Sequence, residues 1–290
     1  MEMSWDDLRT VLMLVRHQSL AGAAHRLGVN YTTVARRIRR AEMSANQVLF
    51  ERLTDGYRPT EAARLIAEHA EEMETSERAM ARHLLGADSE LAGDLTITAP
   101  PLLIANFLTP VLSDFTKAFP RVSLRILATN KRLNLSRMEA DLAIRASSEP
   151  GDTLTGLRLC RQERASFANF DLAKKITANP EAPINWIVYS ARPDVPDTIS
   201  PEFPNNRVHM CFDDMVAMIG AAQAGLGVVR MPVFLGRTSA GLVQVPVLKP
   251  QNYEDIWVVG HPDVWPSRKL RAFRELLVMH FKKNQSNFIC

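Results

Sequence analysis

The segment VNYTTVARRIRR (residues 29–40) places Arg36, Arg37, Arg39 and Arg40 within five consecutive positions, interrupted only by Ile38. A guanidinium stays protonated throughout the physiological range. Its donors form a planar fork that matches two phosphate oxygens or the O6/N7 edge of guanine. Tyr31, Thr32 and Thr33, just ahead, add hydroxyl groups that both donate and accept. These types at this spacing suit recognition of a polyanion. The alternative is a solvated basic face on a small helical core, although such faces usually mix signs.

Charge along the chain favours the first reading. The 290 residues carry a net charge of only +3 and ordinary apolar and charged fractions, as expected for a globular protein of two or three compact units. Residues 1–58 contain nine Arg, no Lys and six Asp/Glu, whereas residues 59–290 contain 26 basic and 26 acidic groups. The whole surplus therefore lies in the first segment and consists of arginine, the residue suited to bidentate contacts with phosphate or guanine.

Other reactive side chains form no constellation. Asp152, Asp213, Asp214 and seven scattered histidines fit neither a His-Glu-x-x-His nor a Gly-x-Ser-x-Gly pattern, and no phosphate-binding glycine loop is present. AGLGVV has two glycines at a helix end, too few for a dinucleotide fingerprint. No enzyme activity, metal or cofactor is expected. Cys160, Cys211 and Cys290 are odd in number and lack metal-ligand spacing, which fits a reducing compartment. No secretory layout opens the chain, and no apolar run approaches the roughly 18 residues of a membrane span. A cytoplasmic protein without a membrane partner is expected.

The arginine run must be held by neighbouring elements, and their start and stop signals are clear. Ser4 caps a first helix carrying Leu8, Val11, Leu12 and Val15 on one stripe. Ser19 caps a second, with Leu20, Ala23, Ala24 and Leu27 inward and Gly28 as its stop. Asn30 caps a third. With Val34 facing the core, steps of about 100° bring Ile38 and Ala41 beside it and send Thr32, Arg36, Arg39 and Arg40 to the far side. Small residues on the second helix and a very short connection give a helix-turn-helix whose last member enters a major groove. FERLTDGYRPT then reads as a hairpin wing turning at Asp55-Gly56, flanked by Arg52 and Arg58. Asp55 at its tip repels phosphate, and Arg58 is the preferred wing contact.

From Thr60 to about Leu85 no Pro or Gly interrupts the chain, and Ile66, Ala70, Met73, Glu77, Met80 and Leu84 step along one edge. A helix of about 25 residues spans close to 40 Å, too long for a sixty-residue domain to cover. Pairing with a second copy is expected; packing on its own chain is the alternative. GADSELAG (residues 86–93) forms the hinge. Beyond it, strands at 94–100, 122–128, 140–146, 184–190, 209–212 and 226–232 alternate with helices, ending in a helix at 267–282. That order predicts α/β architecture on a largely parallel sheet.

SLAGAAHRLGVNYTTVARRIRRAE followed by LFERLTDGYRPTEAA resembles the winged helix-turn-helix of LysR-type transcriptional regulators. The residues carrying the likeness are Ser19, Ala23, Ala24, Leu27, Val29, Val34, Arg36, Ile38, Glu42, Leu49, Phe50, Arg52, Arg58 and Thr60. The chain departs from the family at Tyr31 (usually Gln), Ala35 (usually Ser), Ala41 (usually Leu) and Ala63 (usually Gly). A phenol cannot make the bidentate amide contact to adenine, so Tyr31 predicts an operator of its own. GDLTITAP, FTKAFPRVSLRI, ADLAIRAS, AAQAGLGVVRMPVFL and HPDVWPSRKLRAF resemble landmarks of the family's effector domain.

The resemblance implies α/β architecture with an all-α winged helix-turn-helix over residues 1–59 and a linker helix and hinge over 60–91. It also implies a two-lobed, periplasmic-binding-protein-like effector domain over 92–290. Lobe I would be 92–162 and 263–290, and lobe II 163–262. On this basis double-stranded DNA is the partner, and the protein is a homodimer or tetramer that engages RNA polymerase if it activates. Tyr31, Thr32 and Arg36 would read bases. Thr33, Arg37, Arg39 and Arg40 would hold phosphates, with Ser19 and Asn30 at the helix N-termini and Arg52 and Arg58 in the wing.

Ligands of open α/β sheets lie beyond the carboxyl ends of the strands. That rule selects Thr98, Ala99, Pro100, Pro101 and Leu102, then Ala146 and Ser147, then Phe212 and Asp213. Pro100-Pro101 removes two backbone donors, leaving Thr98 as the polar contact or a ligand less anionic than the family's usual organic acids. Two alternatives stand beside this: a thiol redox sensor of the same architecture, and a solute-binding sensor whose N-terminal domain serves assembly only.

Overall fold

The computed structural model describes residues 2–87, 90–149, 151 and 153–290. Asp88 and Ser89 of the expected hinge, and Asp152, lie outside the described residues. The chain divides into two compact units, Met1–Leu84 and Leu85–Cys290.

The first unit follows its capping signals. Helix α1 (Trp5–His17) starts at Ser4, whose Oγ accepts from the Asp7 backbone N–H and donates to the Asp7 carboxylate at 2.8 Å. Helix α2 (Leu20–Leu27) starts at Ser19 and stops at Gly28, which adopts φ 65°. Helix α3 (Tyr31–Ala45) starts at Asn30. Val11, Leu12, Leu14, Ala23, Ala24, Val34, Ile38 and Ala41 form their common core. Strands β1 (Phe50–Arg52) and β2 (Tyr57–Pro59) pair antiparallel as the wing. A Cβ on Gly56 would lie 2.6 Å from the Gln18 carbonyl oxygen, so only glycine lets the wing's turn close on the end of α1. Glu42 ties α3 to the wing: its Oε1 accepts from the N–H groups of Leu49 (2.9 Å) and Phe50 (3.4 Å).

Helix α4 (Glu61–Ala87) is 27 residues long. It packs on the first unit through Ala63, Ala67 and Ala70 and through Glu74, whose carboxylate is covered by Arg16 (3.0 Å) and Arg78 (2.9 Å). Ala70, expected on the free edge, is therefore fully buried. The apolar side chains left exposed are Leu65, Met73, Met80 and Leu84.

The second unit begins with β3 (Gly93–Ala99). It is followed by α5 (Pro101–Leu103), a π-helical turn (Ile104–Leu108) and α6 (Thr109–Ala118), then β4 (Val122–Ala128), β5 (Leu142–Ser147) and β6 (Thr155–Asn169). After these come α7 (Phe170–Ala178), β7 (Ile184–Tyr189), β8 (Asn206–Phe212), α8 (Met215–Gln223), β9 (Val228–Pro232) and α9 (Val233–Thr238). The chain finishes with β10 (Leu242–Val245), β11 (Gln251–Gly260) and α10 (Arg268–Lys283). Among the described residues, the nine strands of the sheet run in the order β4-β3-β5-β11-β6-β9-β7-β8, with β10 on β6.

The sheet is mixed. β3 pairs parallel with β4 and β5, and β7 pairs parallel with β8 and β9, but β6 and β11 run antiparallel to their neighbours. In addition, β11, assigned by sequence to lobe II, bonds β5 through residues 255–260.

The C-terminus is built into this unit. Phe288 is fully buried, 4.7 Å from the Phe107 ring centroid and stacked at 4.9 Å on Phe234. Burying such a ring contributes about 1.5–3 kcal/mol. Arg237 donates to the Ile289 carbonyl at 2.7 Å and secures the tail.

Asp7 gives a test of the first unit. Its side chain is only 2% exposed. Burial works to raise its pKa, but hydrogen bonds from Arg40 and Ser4 and the Arg40 charge outweigh burial and lower it. A carboxyl with a lowered folded pKa contributes stability that is complete above its unfolded value and lost as pH falls through the folded one. Melting curves followed by circular dichroism from about pH 5 down to pH 2 should show a steeper acid loss in the parent than in Asp7→Asn. Parallel curves would remove Asp7 as the titrating group.

Candidate nucleic-acid interface and effector cleft

On α3 the polar residues fall into two rows at i, i+4, i+7 spacing, and the rows differ in what they touch. Arg37 and Arg40 turn towards α1, and Thr33, in the same row, is half-buried. Arg37 Nη2 meets Asp6 Oδ2 at 2.5 Å, and Arg40 grips Asp7 through Nε (2.8 and 3.0 Å) and Nη2 (2.5 Å). Thr32, Arg36 and Arg39 form the other row, all exposed, and neither arginine has a partner among the described residues. Arg40 was expected among the free residues. The turn of α3 brings it over the N-terminal turn of α1, where Asp7 holds it. Tyr31 stands at the head of α3, 60% exposed.

The caps account for Ser19 and Asn30. Ser19 Oγ accepts from the Gly22 N–H at 3.1 Å and retains its own proton for donation, and Asn30 Oδ1 accepts from Thr32 N–H at 3.4 Å. In the wing the two arginines differ in what they touch. Arg58 pairs across the hairpin with Glu51 (Nε to Oε2, 2.9 Å), which reduces its free charge. Arg52 has no partner among the described residues.

Within the second unit, a cavity of about 520 Å³ opens at the carboxyl ends of the parallel strands. Pro100, Pro101, Leu102, Ala146 and Asp213 line it, as expected. Thr98, Ala99, Ser147 and Phe212 do not. The Thr98 hydroxyl is buried and donates to the Leu127 carbonyl at 3.0 Å, so it is not the polar contact the sequence suggested. Ala99 is enclosed in the core. Ser147 donates to the Glu149 carbonyl at 2.7 Å. Phe212 is half-buried at the end of β8, outside the lining.

Beside Asp213, the polar lining comes from residues the sequence reading missed. Gln162, Arg164, Arg192, Arg230 and Tyr253 border the cavity. Arg164 Nε donates to Gln251 Oε1 at 3.2 Å, and its guanidinium lies 5.7 Å from the Tyr253 ring centroid. Burial lowers the Arg230 pKa, and the charges of Arg164 and Arg192 lower it further against the opposing effect of Asp197 and Tyr253. One sign was available: an arginine inside the apolar run GVVRMP is unusual for a buried strand unless its charge has a task. Gln162, Arg164 and Tyr253 lie on β6 and β11, two strands not recognised from sequence, and Arg192 lies in the turn after β7.

Cys160 is buried on β6. Burial, reinforced by the Asp255 charge and only partly offset by a hydrogen bond from the Ile256 backbone, pushes its thiol up to about 12. The thiolate is the reactive species, and burial holds this side chain in the thiol form. Cys211 and Cys290 are exposed. Labelling the folded chain with a disulfide reagent at neutral pH should modify Cys211 and Cys290 readily and Cys160 only on unfolding. Fast labelling at Cys160 would contradict the burial. Among the described residues no group of three or more His, Cys, Asp or Glu side chains could hold a metal, and no helix is long and apolar enough to cross a membrane.

Comparisons with known proteins converge on one family. The profile described as "Bacterial regulatory helix-turn-helix protein, lysR family" matches residues 5–64, and that described as "LysR substrate binding domain" matches residues 88–282. The mau operon transcriptional activator of Paracoccus denitrificans is 27% identical over 266 residues, covering 90% of each chain. The full-length Vibrio cholerae virulence activator AphB, a member of the LTTR protein family, superposes with a TM-score of 0.59 at 19% identity, covering 96% of this chain and 99% of that one. Full-length LysG from Corynebacterium glutamicum, in a structure with bound effector arginine, gives 0.53 at 17% identity, covering 97% and 99%. At such identities the structural likeness shows the fold alone. Two family profiles that between them span most of the chain show that it belongs to the LysR family of DNA-binding transcriptional regulators, with a helix-turn-helix domain and an effector-binding domain.

Proposed function

We propose that this regulator reads its operator through the Thr32–Arg36–Arg39 row of α3, with Tyr31 at the leading end. The observation that carries the reading is that these two arginines are exposed and unpaired while their neighbours Arg37 and Arg40 are spent on Asp6 and Asp7. Arg36, near the N-terminal half of the helix, reads a base. Arg39, Thr33 and the Ser19 hydroxyl hold the backbone, and Arg52 is the wing's contact. Arg37, Arg40 and Arg58 act chiefly as scaffold, with their carboxylate partners reducing their pull on phosphate.

Regulators of this family bind DNA and small-molecule effectors and form oligomers. In this chain we assign residues 1–59 to DNA binding, 60–91 to the linker and hinge, and 92–290 to effector binding. Pairing of two copies runs along the exposed seam of Leu65, Met73, Met80 and Leu84. Tetramers form through the effector lobes. Ligand entry changes lobe closure and hence the spacing of the paired DNA-binding units, with contact to RNA polymerase where the protein activates. The place of action is the cytoplasm.

Sequencing the genomic fragments retained by the purified protein supplies an operator for titration against random duplex. Arg36→Ala should cost about 1–3 kcal/mol on the operator and little on random DNA. Arg39→Ala should weaken both evenly and reduce the slope of log K against log salt by about one. Equal losses on every sequence from both variants would overturn the division into reader and anchor. Binding insensitive to salt would favour a domain used for assembly only.

Met80→Glu places a charge in the proposed seam on each of two facing helices. Sedimentation should show dissociation at concentrations where the parent is dimeric, with helix content kept. An unchanged dimer would move the interface elsewhere.

A further inference from the structure

We propose that Tyr31 and Ala35 form an apolar strip on α3 that recognises the 5-methyl group of a thymine in the operator's major groove. The inference rests on the reading of α3 as the helix that enters the groove. It adds what the uncharged flank of that helix selects.

Tyr31 is not spent on the fold. Among the described residues of the first unit, the other Trp, Phe and Tyr side chains pack on the hydrophobic core. These are Trp5, Phe50 and Tyr57, and Tyr57 meets Phe50 edge-on with ring centroids 6.5 Å apart. Tyr31 is instead 60% exposed and has no hydrogen bond or ring contact among the described residues. Ala35 follows four residues later on the same helix and is also exposed. Side chains at that spacing are neighbours on one ridge, so a phenol ring and a methyl group together leave an apolar strip facing water.

The charges beside the strip say what covers it. Steps of about 100° place Ala35 between Tyr31 and Arg39 around α3, with Thr32 and Arg36 just beyond. Arg36 and Arg39 are exposed and unpaired, and their charges complement a polyanion. Whatever duplex these arginines hold also meets the strip that borders them.

The chemistry of the groove then narrows the contact. Base pairs present donors and acceptors there, and thymine alone adds an apolar group, its 5-methyl. Ala35 has no polar side-chain atom, so it can select among bases through that methyl and not through a hydrogen bond. Its small size also lets the helix come close to the base edges. Tyr31 stands on the first turn, the part of such a helix that reaches base edges. Ring and methyl group together shield the thymine methyl from water. Removing one methyl group from a contact of this kind weakens binding about fourfold.

The test uses the full chain and the operator recovered from its genomic fragments. Each thymine is replaced in turn by deoxyuridine, which removes the 5-methyl and leaves every hydrogen-bonding group in place. At least one position should weaken the parent about fourfold. In Tyr31→Ala and in Ala35→Ser, both at exposed positions, that penalty should vanish, whereas Tyr31→Phe should keep it. Exchanging the same T·A pair for C·G should lower affinity, and methylating that cytosine at C5 should recover about fourfold. Circular dichroism of each variant should match the parent.

Insensitivity of the parent to uridine at every position would overturn the methyl contact. A penalty that persists in both variants would belong to the shape of the DNA, and one lost in Tyr31→Phe would belong to the hydroxyl; either result rejects the proposal. The underlying reading is judged separately. If Arg36→Ala removes operator preference while uridine has no effect, α3 still reads the operator and only the methyl contact fails. If neither change matters, base reading by α3 fails with it.

Discussion

The ladder formed by β6 and β11 is the constraint on which the second unit depends. Backbone N–H and C=O groups removed from water must be paired, and β6 meets that demand with three strands of one sheet. Its first half bonds β11, and its last residues bond β9 on one side and β10 on the other. β11 in turn bonds β5. Two sets of parallel strands are therefore joined through strands that cross between them, and the carboxyl ends of both sets open towards the crossing. Gln162 and Arg164 sit on β6 opposite Tyr253 and Gln251 of β11, just beyond the irregularity between Tyr253 and Ile256. Both side chains border the cavity beside this junction.

Arginine serves opposite purposes in the two units, and the decisive variable is what each guanidinium faces. In the first unit Arg16, Arg37 and Arg40 meet carboxylates of their own chain and bind helices together. Arg36 and Arg39, one position away on the helix surface, meet solvent. In the second unit Arg164 is tied down while Arg192 and Arg230 are not. A guanidinium committed to a carboxylate has little left for a phosphate or a ligand, so the functional cations are those the scaffold has not used.

Much of the first unit was legible because its signals are local. Ser4, Ser19, Asn30 and Gly28 act within one helical turn of themselves, and the apolar spacing of Val34, Ile38 and Ala41 is a property of the helix alone. The wing's turn at Asp55-Gly56 is equally local. In the second unit the parallel strands were legible as short apolar runs bounded by turns. β6 was not, because RLCRQERASFAN carries charges at positions that face the junction instead of alternating cleanly. With β6 and β11 missing, the mixed character of the sheet and four of the cleft's polar residues, on those strands and in the turn after β7, went with them.

The amino-acid sequence by itself determined the identity and order of the helices in the first unit, the wing, the long linker helix and the family, since each rests on short-range periodicity, capping or a dense run of matching residues. Only the tertiary structure decided which charges are free. Whether Arg40 is available to a partner depends on Asp7, 33 residues away, and whether Thr98 can touch a ligand depends on the Leu127 carbonyl, 29 residues away. Such pairings form between elements distant in sequence, where no spacing rule reaches, and they appear once the core has set the helices and strands against one another.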